Sequence, residues 1–284
     1  MLKKILTVLV LCLMLPASAK SFEEKYCAQK PYPVGGVVAS GISNITGANF
    51  TFTKLAELTI QSILKKELSS NFNAELYSFG GKNLIDGKFK KLTLSARKIK
   101  SEDVNLRNFY GETLCDYNRI VLKDDSIYFA ENFLFGFRGK MTNEDFQNTI
   151  LSEEYKKAIN DVQLNLFGTS FFKLSDPVVE IKNNRIYMSV DVSFASFITS
   201  KKLTVKTNYA LKLQNGKIVI SDVHYSDALG ISKNAMYAIL NILNPFKMRI
   251  ALDENNTMTI YMRDFRIEND EINFAGVLLL PRSL

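Results

Sequence analysis

Apolar residues recur along this chain at two spacings, and the change from one to the other divides it into elements. In NFTFTKLAELTIQSILKKEL, the residues Phe52, Leu55, Ala56, Thr59, Ile60, Ile63 and Leu64 follow one another at steps of three and four. That spacing predicts an amphipathic helix with a wide apolar face over residues 51–69. Beyond it the period falls to two. Leu92, Leu94 and Ala96 alternate with Thr93, Ser95 and Arg97, and Ile120 and Leu122 alternate with Val121 and Lys123. The cleanest alternation is in RIYMSVDVSF, where Ile186, Met188, Val190, Val192 and Phe194 share one face, and in KLTVKTNYALKL, where Leu203, Val205, Thr207, Tyr209, Leu211 and Leu213 do. Such regularity means a sheet with one wet and one dry face. Asn215-Gly216 marks a two-residue hairpin. Asp124-Asp125, DENN and ENDE mark further turns.

Two more helices interrupt the strands. Thr142 is placed to cap the first, whose opening turn carries Glu144 and Asp145. The second reads SKNAMYAILNIL, starts at Ser232 and is stopped by Asn244-Pro245. Tight turns between consecutive strands make the sheet antiparallel, and helices must cover its dry face. The expected class is α+β. Several strands look longer than the usual ~5–6 residues. The expectation is therefore an elongated body in which a long, twisted antiparallel sheet wraps amphipathic helices and leaves an apolar trough or tunnel.

The first residues change the setting. Lys3 and Lys4, the apolar run ILTVLVLCLMLP and the small residues Ala17-Ser18-Ala19 follow the three-part plan of a secretory signal peptide. The division expected is a signal peptide over 1–19, cleaved after Ala19, an irregular Gly-, Pro- and Ser-rich leading segment over 20–47, and one α+β domain over 48–284. Export, to the periplasm or another extracytoplasmic space, permits a disulfide between Cys27 and Cys115; the sequence does not show whether their Cα atoms come within bridging distance. The formal charge is +7, with the lysines scattered rather than massed. It suits a solvated surface, or attraction to anionic lipid headgroups at a membrane surface.

Catalytic signatures are absent from the sequence. The one histidine, His224 in SDVHYSD, has carboxylates near it in sequence but no nucleophile motif. No zinc-binding HExxH, nucleophile elbow or phosphate-cradling glycine loop occurs. The cysteine spacing fits no metal site, no cofactor is expected, and the basic residues form no recognisable nucleic-acid module. What the composition does supply is apolar capacity, with 20 Phe, 12 Tyr and 8 Met. This fills an ordinary core or lines a flexible cavity. ENFLFGF, residues 131–137, sharpens the choice, because Phe133, Phe135 and Phe137 share one strand face.

The stretch NAELYSFGGKNLIDGKFKKLTLSARKIKSEDVNLRNFYGETLCDYNRIVL resembles the signature region of the LmeA-like phospholipid-binding family. The turn Ile85-Asp86-Gly87-Lys88-Phe89, then Leu92 and Leu94, then Val104, Leu106 and Phe109 carry the likeness. FRGKMTNEDFQNTIL, GKIVISDVHYSD and ILNPFKMRIAL extend it over residues 55–276. The resemblance implies an exported, non-catalytic protein that binds phospholipid or another acyl lipid, shaped like the tubular lipid-binding domains. On that reading Phe133, Phe135, Phe137, Met188, Val190, Val192, Phe194, Leu203, Val205, Tyr209 and Leu211 line an acyl-chain slot. Lys201 and Lys202, in an SKKL turn at its mouth, meet a phosphate. Alternation alone does not decide which face of a strand is the inner one. The competing expectation is an exported structural protein with a filled core that binds another protein through its sheet.

Overall fold

The computed structural model describes residues 25–27, 30–34, 48–100, 105–123, 126–153, 155–156, 172–195, 200–226, 232–242, 244, 246 and 259–282. The expected signal peptide, most of the leading segment and the Asp124-Asp125 and DENN turns lie outside them. The helices are α1 (Ala48–Leu68), α2 (Gly81–Ile85), α3 (Asn143–Ile150) and α4 (Lys233–Ile242). The first six strands are β1 (Asn73–Ser78), β2 (Lys88–Lys100), β3 (Asn105–Thr113), β4 (Asn118–Lys123), β5 (Ser126–Phe129) and β6 (Phe133–Met141). The rest are β7 (Phe172–Lys182), β8 (Arg185–Ala195), β9 (Ser200–Gln214), β10 (Lys217–Tyr225), β11 (Thr259–Glu268) and β12 (Glu271–Leu280).

Strand dominates and every pairing is antiparallel. The single long sheet expected from the sequence is two sheets. Eight strands form a strongly curled half-barrel in the order β11-β12-β6-β3-β2-β4-β5, with β1 also paired to β2. The other four, β10-β9-β8-β7, form a plain meander. The division follows from the turns. β7–β10 close on one another through short hairpins, whereas β12 finds its partner in β6, far back in the chain. Three hairpins turn on residues with positive φ, as two-residue turns require: Asn183-Asn184, Asn215-Gly216 and Asn269-Asp270.

The largest core lies between the two sheets. Ile181, Ile186, Met188, Tyr209 and Ile218 of the meander pack with Ile267, Ile272 and Phe274 of the half-barrel, and α3 and α4 add Phe146, Ile150, Met236 and Leu240. Each such side chain contributes ~1.5–3 kcal/mol by leaving water. Helix α3 closes the edge of the meander. Its start is a reciprocal capping box: Asp145 N donates to Thr142 Oγ1, and Thr142 N donates to Asp145 Oδ2 at 3.1 Å. Four residues apart and so on one helix face, Asn143 and Gln147 then serve the unpaired edge of β7. Gln147 Nε2 donates to Pro177 O at 2.9 Å and its Oε1 accepts from Val179 N at 2.7 Å. Asn143 does the same with both backbone groups of Ile181. Arg107 Nε on β3 donates to Asp145 Oδ2 at 2.7 Å, so the same helix is fixed to the half-barrel.

Candidate functional site

Helix α1 begins three residues earlier than its spacing suggests and is apolar on more than one side. Ala56 and Ile60 pack against the cluster of Ala74, Leu76, Phe89 and Leu92. Leu55, Leu58 and Ile63 are instead 62%, 60% and 43% exposed. The helix is held to the sheet by a buried carboxylate. Glu57 Oε1 accepts from Leu76 N, on the open edge of β1, at 2.8 Å, and its Oε2 accepts from Lys54 Nζ at 2.6 Å. Anchored there, α1 leaves a groove of about 640 Å³ between itself, α2, β1, β2 and β4. Leu55, Ile60 and Ile63 form its helical wall, and Leu76, Phe89 and Ile120 its sheet wall. Ile85 of α2, 70% exposed, stands on the rim.

The turn at 85–89 shapes one end. Gly87 has φ +72°, and a Cβ there would lie 1.8 Å from Ile120 O. Only glycine lets β4 come this close, and Ile120 N donates to Gly87 O at 3.1 Å. Asn118, buried at the start of β4, fixes the corner: its Nδ2 donates to Lys90 O at 2.8 Å and to Cys115 O at 2.7 Å. Tyr32 donates its hydroxyl to Asn118 O at 2.7 Å. Burial, reinforced by the Glu131 carboxylate, pushes the Tyr32 hydroxyl up to about 12; the Arg119 charge acts the other way. The next residue, Arg119, lines the groove. Its Nε is buried and finds no hydrogen-bond acceptor among the described residues. Asp86, the one carboxylate among the described lining residues, is paired with Lys88 at 3.3 Å.

The phenylalanines of ENFLFGF lie behind this groove. Phe133 and Phe135 are buried against Leu76, Phe89 and Leu92, which reach the groove surface themselves. Phe137 touches both this cluster and the core between the sheets. Met188, Val205, Tyr209 and Leu211 are buried in that core, and Val190 packs on it half-buried. None of these residues is among those lining the groove. Val192 pairs with Leu203, and Phe194 with Lys201, along β8 and β9, but the side chains of these four and of Lys202 lie outside the described residues. Lys201 and Lys202 belong to strand β9, not to a turn, because the β8–β9 pairing runs on to Ala195 and Ser200.

Other candidates lie apart. Cys27 and Cys115 are joined in a disulfide, Cα to Cα 5.3 Å, and lie with Tyr26 over Leu134 and Val277. That is the opposite face of β6 from Phe133 and Phe135. His224 is exposed, with Nε2 3.0 Å from Asp222 Oδ1, and Asp222 is bound by Arg185. The arrangement orients the imidazole through Asp222. Among the described residues no group of three or more His, Cys, Asp or Glu is placed to hold a metal ion. Sequence reasoning passed over Arg119, Ile85 and the helical wall as site residues. The signal for the wall was present in the breadth of the apolar face of α1. Nothing in the sequence marked Arg119. Comparison with protein-family models, with curated proteins and with solved structures finds no match to this chain.

Proposed function

We propose that this is an exported, non-catalytic lipid-binding protein of the cell envelope that shelters an acyl chain in the groove between α1 and the half-barrel. One observation carries the reading: an apolar groove of about 640 Å³ with leucine and isoleucine left exposed along its rim. Exposed apolar residues grouped about a concavity mark binding sites more often than scattered ones do. The groove is the slot proposed, since between the sheets the described residues Met188, Tyr209 and their neighbours pack on one another as a core. About fourteen buried methylenes contribute ~11 kcal/mol at ~0.8 kcal/mol each. Association costs of ~4 kcal/mol or more leave an affinity on the order of micromolar.

A displacement assay with a fluorescent fatty-acid analogue tests this. Thr59 is exposed and lines the groove, whereas Leu58 is exposed and does not. Thr59→Trp is expected to weaken binding about tenfold or more by filling the slot, and Leu58→Trp to leave it unchanged. Equal binding by both variants would remove the groove as the site. No binding by the unaltered protein would favour the alternative, an exported structural protein with a filled core that binds another protein through its sheet face.

A further inference from the structure

The half-barrel carries a second concavity, on the face of its strands turned away from α1. Leu76 and Leu92 line the groove, so alternation sends their neighbours Glu75, Tyr77, Lys91 and Thr93 to the other side. There the described residues form an open cleft of about 400 Å³ across β1, β2 and β3. Register accounts for its shape. Asn73 pairs with Ser95, and Ser95 with Tyr110; Glu75 pairs with Thr93, and Tyr77 with Lys91. The middle strand thus places two short hydroxyl residues, Thr93 and Ser95, between longer side chains on either side. They form the floor, β1 forms one wall and Tyr110 of β3 the other.

Tyr110 is held in place as a wall. Its hydroxyl donates to Glu112 Oε2 at 2.9 Å, and the same carboxylate is paired with Lys91 at 2.5 Å. Arg138 comes from β6, the neighbour of β3 on the side away from β2, and lies over the ring 4.8 Å from its centroid. Tyr77, 53% exposed, supplies a second ring. The charges about the cleft balance, Glu75 and Glu112 against Lys91 and Arg138, so it does not draw in a strongly ionic ligand. Aromatic surface beside an amide, a carboxylate, an ammonium and two hydroxyls suits a ligand with an apolar C–H face ringed by hydroxyl groups.

We propose that this cleft binds a neutral saccharide unit, with a C–H face of the sugar ring on Tyr110 and its hydroxyls toward Thr93, Ser95, Asn73 and Glu75. A flat nucleobase carries its polar groups around one planar edge, whereas those of the cleft are spread over its floor and the β1 wall, which favours the sugar. The site is separate from the groove beneath α1 and does not depend on the lipid-binding reading.

Saturation-transfer NMR of the full chain with chitotriose, cellotriose and maltotriose, and with adenosine as a flat control, tests this. At least one trisaccharide is expected to bind more tightly than adenosine, with an affinity on the order of millimolar as suits an open cleft. Thr93→Lys raises the floor. Position 93 lies opposite both Glu75 and Glu112, so the longer side chain meets carboxylates and the sheet is expected to keep its melting temperature. This variant is expected to weaken saccharide binding about tenfold and to leave fatty-acid displacement as in the unaltered protein. Tyr110→Leu, which removes the ring, is expected to weaken the saccharide as well. Failure of all three trisaccharides to bind the unaltered protein overturns the proposal, and tighter binding of adenosine overturns the saccharide assignment. Saccharide binding that is unchanged in Thr93→Lys, or in Tyr110→Leu should the first variant not fold, overturns the cleft as the site.

Discussion

Gly87 and Tyr32 hold the corner where β4 meets β2, and each makes a separate prediction. Alanine at 87 must adopt φ +72° and meet Ile120 O at 1.8 Å. Gly87→Ala is expected to cost about 1–3 kcal/mol in urea unfolding and to loosen β4 from β2. Stability equal to the unaltered protein would show that the close approach is dispensable. Tyr32 is neutral in the fold, with its hydroxyl held up at about 12 mainly by burial, against 10.0 when free. Its contribution is fully present below pH 10, where both folded and unfolded chains are protonated. It is lost as pH rises through 12, because the unfolded chain ionises first. Between pH 10 and 12 the unaltered protein is expected to lose ~1–3 kcal/mol more than Tyr32→Phe does. Parallel pH curves for the two would contradict this.

Among the elements, α3 connects the two sheets and α1 makes the site. Gln147 and Asn143 complete the backbone edge of β7, so Gln147→Ala leaves Val179 N–H without an acceptor. A loss of about 1–3 kcal/mol in urea unfolding is expected; a loss below ~0.5 kcal/mol would mean that water replaces the amide. These elements were unevenly legible. Period-two alternation and the Asn215-Gly216 turn located β8–β10, and Thr142 with Asp145 gave the start of α3, because those signals are local. The register that carries β12 back to β6 is a pairing between distant segments and leaves no local mark. Asn183-Asn184 turns β7 into β8 with the same positive φ as Asn215-Gly216, yet lacks the glycine that would have announced it. At the site, the stripe on α1 was visible, but which of its residues stay uncovered depends on where Glu57 meets Leu76 N. For Phe133, Phe135 and Phe137, alternation correctly gave one shared face, and only the packing of β1 and β2 shows that Phe133 and Phe135 lie a layer behind the groove.

On the scale of the whole molecule, two apolar interiors divide the work. The one between the sheets unites meander, half-barrel and helices. The one beneath α1 is closed at its floor by Phe133 and Phe135 and open above as the groove. A curled sheet that turns one side toward a single helix, with leucine and isoleucine left at the rim, is a form suited to a ligand that is itself long and apolar. The native mass of the purified chain, before and after incubation with palmitate, tests this most directly. One acyl-lipid adduct per chain is predicted, and a much smaller fraction of it in Thr59→Trp. A bare-chain mass in both conditions would contradict the account.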